Sequence, residues 1–145
     1  MNIDDIVREA AETVAEIPAL SGYKVIEEDK GDVSKKLEMS VAQQKLAVVV
    51  GWNGFTPVAS GRHDNGETRG TASVIVTVYE KPIENRTNPS APRLLQVAQE
   101  IARTLNCASS EGMEDVMHLK RISPVAELDR GVITCDVEFS TVGII

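Results

Sequence analysis

Thr71-Ala72-Ser73-Val74-Ile75-Val76-Thr77-Val78-Tyr79-Glu80 is the stretch on which the fold turns. Successive side chains of an extended chain point to opposite sides. Ala72, Val74, Val76 and Val78 therefore share one face, while Ser73, Thr77 and Tyr79 share the other, with Ile75 among them. One apolar and one polar face is the pattern of an antiparallel strand with a single wet side.

Upstream, Leu46-Ala47-Val48-Val49-Val50-Gly51-Trp52 is a continuous apolar run rich in β-branched residues, which reads as a buried strand. Asn53-Gly54 marks a tight turn, and Phe55 to Ala59 is expected to return as a short strand that Pro57 confines to an edge. Ser60 to Gly70 reads as a mobile polar loop. Nearer the start, Ile3, Ile6, Val7, Ala10, Val14 and Ile17 recur at helical spacing between charged residues, and Pro18 stops the helix. Tyr23 to Glu27 suits a short strand, Glu28 to Asp32 a polar loop, and Val33 to Gln44 a second helix.

Downstream, Pro82 to Asn88 reads as a second loop. A helix follows, N-capped by Ser90, with Leu94, Leu95, Ala98, Ile101, Ala102 and Leu105 as its apolar stripe and Asn106 as a left-handed cap. Val116 to Ile122 and Val125 to Leu128 make a strand broken near Ser123-Pro124. Asp129-Arg130-Gly131 turns the chain into a last strand, Val132 to Val142. There Ile133, Cys135, Val137 and Phe139 face inward, while Thr134, Asp136, Glu138 and Ser140 face outward. The sum is an α+β fold, a mainly antiparallel β-sheet packed with two to three helices, in one domain over residues 1–145.

A chain of 145 residues builds a core without metal or disulfide staples, and with few aromatics that core must be aliphatic. A net charge of −7 argues against grip on a nucleic-acid backbone, so no nucleic-acid partner is expected. Cys107 and Cys135 sit in no metal-like spacing and read as free thiols, with a disulfide between them as the alternative. Met1-Asn2-Ile3-Asp4-Asp5 lacks the pattern of a signal peptide, and no apolar run is long enough to span a bilayer, so synthesis inside the cell and no membrane partner are expected.

No nucleophile elbow, zinc-protease helix, phosphate loop or calcium loop occurs, so no catalytic residue, metal or cofactor is expected. His63 lies beside Asp64 in the glycine-containing loop, and His118 on the wet face of a strand. Asp136 and Glu138, two apart, share a strand face, a spacing open to acid–base work but ordinary for a solvated face. Glu80, Glu84, Asn85 and Arg86 cluster where the alternating strand exits, as a salt-bridged turn or a subunit contact.

Several of these features together resemble a known family. Val74-Ile75-Val76-Thr77-Val78-Tyr79-Glu80 runs into Glu84-Asn85-Arg86. A helix with Ala98, Ile101, Ala102 and Leu105 follows, then a closing strand pair ending Val137-Glu138-Phe139-Ser140-Thr141, and an amphipathic helix opens the chain. This layout, from Ile3 to Val142, resembles the small tail-terminator and tail-completion proteins of tailed phages and prophages. The resemblance implies a tail-terminator-like domain without enzymatic activity that forms a homo-oligomeric ring, typically a hexamer. Such a ring caps the tail tube and joins it to the head, so the implied partners are further copies, the tail tube protein and head–tail connector proteins. The implied location is the host cytoplasm during assembly and then the virion tail. Arg62, Arg69 and Arg86 are then candidates to meet Asp136 and Glu138 of a neighbour, with Glu84 and Asn85 beside them. Two other readings stand: another tail or neck component, or a small-molecule-binding enzyme domain with a cleft around His63, Asp64, Asp136 and Glu138.

Overall fold

A computed structural model describes residues 1–28, 33–62 and 66–145, with the backbone alone for 59–62. The expected loop at Asp29 to Asp32, the His63–Asp64 pair and the side chain of Arg62 lie outside the described residues.

Helix α1 (Ile3–Ala15) starts where Asn2 Oδ1 accepts from the Asp4 N–H at 3.0 Å, with Asp4 and Asp5 in its first turn. It ends before a turn at Pro18–Leu20. Strand β1 (Val25–Glu27), helix α2 (Val33–Gln44) and strand β2 (Leu46–Arg62) form a β–α–β unit, so β1 lies parallel to β2. The stretch quoted first is most of β3 (Thr68–Glu80). A short helix α3 (Pro82–Asn85) and the long α4 (Leu94–Leu105) follow. Strands β4 (His118–Ile122), β5 (Ala126–Glu127) and β6 (Ile133–Ile144) complete the chain. The sheet order is β1-β2-β3-β6-β4, with β5 also on β6, and every pair except β1–β2 is antiparallel. The fold is thus α+β and mostly antiparallel, as the alternation indicates.

One sheet face holds the main core. Leu46, Val48, Val50, Val74, Val76, Val78, Cys135, Val137 and Phe139 pack there against Ile6, Ala10 and Val14 of α1 and Val97, Ala98 and Ile101 of α4. Helix α2 covers the β1–β2 end of the opposite face, where Ile26, Val41 and Ala47 are buried outside that cluster. Beyond α2 this second face stays half-open along β3 and β6.

Three expectations are corrected. Asn53-Gly54 is not a turn: β2 runs on to Arg62, and the register with β3 shifts between Trp52 and Phe55. Gly54 takes φ +106°, which serves a bulge as well as a turn. Residues read as a loop before Arg62 and after Thr68 are therefore strand, because the long β3 finds its partner in one equally continuous strand. Second, α4 begins at Leu94 rather than after Ser90. The Ser90 N–H and hydroxyl both bond to Asn88 Oδ1, at 3.2 and 2.9 Å, so Ser90 serves a turn instead of a cap. Third, the left-handed residue after α4 is Cys107 (φ 70°), while Asn106 is extended.

Candidate assembly surfaces

The corner after β3 is built around a buried carboxylate. Glu80 continues the inward parity of Ala72 to Val78 and is 3% exposed. Asn85, on α3, donates from Nδ2 to Glu80 Oε2 at 2.6 Å and to the Pro92 carbonyl at 2.9 Å. Arg93 Nε stands 3.7 Å from the same carboxylate oxygen. Asn85 is thus an interior residue of its own chain. The corner turns Ile83, Glu84 and Arg86 outward, and Ile83 is 81% exposed.

Asp136 and Glu138 do share the half-open face. Thr77 Oγ1 donates to Asp136 at 2.8 Å, and Ser73 Oγ to Glu138 at 3.1 Å, so β3 hydroxyls hold both carboxylates in place. Burial, and then the nearby charges of Asp136 and Glu28, raise the Tyr79 phenol above its ordinary value. Arg69 is engaged at home, with Nε 2.5 Å from Glu114 Oε2. The structure therefore brings Asp136 and Glu138 together, keeps Glu80 with Asn85, and leaves Arg69 and Arg86 apart from both carboxylate groups.

His118 is exposed on β4 and lies 2.9 Å from Asp115 Oδ2. That hydrogen bond, with the Val116 N–H, lowers the Asp115 carboxyl. Both cysteines are free; Cys107 is exposed and Cys135 buried. Among the described residues no group of three or more His, Cys, Asp or Glu side chains is placed to hold a metal ion, and no helix is long and apolar enough to cross a membrane.

Two surfaces escaped the sequence reading. A groove of about 890 Å³ opens between α2 and the turn before β6, lined by Leu37, Met39, Tyr79, Leu128 and Val132; Asp136 and Glu138 do not line it. Strand β4 exposes all five of its residues. The sequence signal for it was present: His-Leu-Lys-Arg-Ile does not alternate as a half-buried strand does.

No family model matches this sequence, and no curated protein matches it. Among solved structures, the fold is similar to a chain of the structure titled "Virion of native gene transfer agent (GTA) particle". The TM-score is 0.56 at 13% identity, over 96% of this chain and 92% of that one. The likeness is one of fold, and it spans almost the whole of both chains.

Proposed function

We propose that this chain is a non-enzymatic structural subunit of a phage-like particle, and within that class a tail-terminator-type protein. In this reading copies form a ring, typically a hexamer, that caps the tail tube and meets the head–tail connector. The ring assembles in the host cytoplasm and ends in the virion tail. The observation that carries the reading is the fold likeness to a virion chain over 96% of this sequence. The surfaces agree with it: chemistry-bearing side chains lie on an open sheet face, on strand β4 and at the α3 corner, as suits contact with other proteins.

A ring needs two different complementary patches on each subunit. In this reading Arg86, exposed at the α3 corner, meets Asp136 and Glu138 of a neighbour, with Arg62 and Arg69 along the β2–β3 hairpin as further candidates. The test is light scattering and electron microscopy of the purified chain, followed by addition to polymerising tail tube protein. Closed rings that halt tube growth are expected. A chain that forms no ring, or tubes that lengthen unchanged in its presence, would end the reading.

A further inference from the structure

Helix α1 packs over β1 and β2, at one end of the sheet, and β4 is the strand at the other end. The two ends differ in charge. Over Asp4 to Glu16, α1 carries the carboxylates Asp4, Asp5, Glu9, Glu12 and Glu16 against the single cation Arg8. Arg8 is occupied within the helix, 2.8 Å from Asp5 and 3.9 Å from Glu12. Strand β4 carries Lys120 and Arg121 and no carboxylate. Among the described residues neither cation is tied into an ion pair, unlike Arg69, Arg93 and Arg103. Leu119 and Ile122 flank them, each 38% exposed.

Strand β4 is poorly suited to accept an added strand. Asn106 Oδ1 already takes the Leu119 N–H at 3.1 Å, and cations guard the edge. What it offers is side chains: two cations, of which Arg121 stands across the ladder from Glu138, and two apolar groups. In a chain of net charge −7, most pairs of surfaces repel when copies meet. Contact of the two β4 cations with the acidic α1 end converts that repulsion to attraction. Because the two patches sit at opposite ends of one sheet, the contact is head to tail, the kind that generates rings.

We propose that strand β4 of one copy docks through Leu119, Lys120, Arg121 and Ile122 against the acidic outer face of α1 on a second copy. The inference rests on the ring reading for self-association and names a contact separate from that of Arg86 with Asp136 and Glu138. Its test compares the wild type with Lys120→Glu/Arg121→Glu and with Glu12→Lys/Glu16→Lys by light scattering at low salt. All four side chains are exposed, and circular dichroism checks that each variant is folded. The wild type is expected to weigh several times the 15.7 kDa chain. Each double variant should associate about tenfold or more weakly, and mixing the two should recover assembly because opposite charges then face each other. Double variants that assemble like the wild type, or a mixture no heavier than its parts, would overturn this contact alone. A wild type that stays a single chain at every concentration would remove the ring reading and the contact with it.

Discussion

Asn85 donates its side-chain amide to the Glu80 carboxylate across 2.6 Å, with both residues 3% exposed. The bond joins the end of a core strand to the loop that follows and fixes which side chains that loop turns outward. Removing the amide leaves a buried carboxylate short of a donor. Asn85→Ala is expected to cost about 2–3 kcal/mol, read as a lower denaturant midpoint at unchanged slope. In a double-mutant cycle with Glu80→Gln the two losses should be far from additive.

Gly70 and Gly143 face each other in register on β3 and β6, and each leaves room for a large side chain. A Cβ on Gly70 would lie 2.4 Å from the Thr56 carbonyl oxygen and 2.6 Å from the Phe55 ring. One on Gly143 would lie 2.6 Å from Met1 Sδ, the far part of a flexible side chain. Gly70→Ala should therefore destabilise by about 2–3 kcal/mol and Gly143→Ala by roughly 1 kcal/mol or less. Thermal melts of the two variants check the order, and equal losses would contradict it.

Alkaline pH is expected to weaken the fold. Burial raises the Cys135 thiol above 9.0 and the Tyr79 phenol above 10.0, their ordinary values. The unfolded chain then ionises first, so this contribution is fully present below the ordinary values and is lost as pH rises through the raised ones. The urea midpoint should fall as pH rises above 9.0, and above 10.0 it should fall less in Tyr79→Phe.

Thiol reagents should separate the cysteines. Cys107 is exposed, whereas Cys135 is buried with a raised pKa and accepts from and donates to groups of Ser123. One thiol per chain is expected to react in buffer and two in denaturant, counted by mass spectrometry. Rapid reaction of Cys135 in the folded protein would contradict the packing.

Arg69→Ala should change stability little, by about 0.5 kcal/mol at most, because its pair with Glu114 is 45% and 36% exposed. A larger effect on assembly than on the denaturant midpoint would mark Arg69 as a residue that meets a neighbour.

Strand β3 was legible because one of its faces is wet, which writes the period directly into Ala72 to Tyr79. The buried pattern of α1 was legible for the same reason, whereas the stripe of α4 was read with Leu95, which is 52% exposed, in place of the buried Val97. Asn53-Gly54 misled because a glycine at positive φ serves a bulge and a hairpin turn equally, and only the register with β3 decides between them. The burial of Glu80 was hidden by its chemistry: parity places it inside, but a carboxylate in sequence reads as an exit to solvent until Asn85 and Arg93 are seen around it. Strand parity put Thr77 and Asp136 each on an outward face, but the register that pairs them, like the partner of Arg69, depended on segments far away in sequence.

The position of β6 sets an order of events. Hairpin β2–β3 closes between neighbours in sequence, but β6 must cross a long intervening stretch to reach β3. Strand β4 borrows its place in the sheet entirely from β6. A chain in which Ile133–Ile144 has not yet docked therefore has no β4 edge to present. Recruitment through that edge would admit only subunits that have finished folding, so the docking of β6 acts as an inspection step before copies combine.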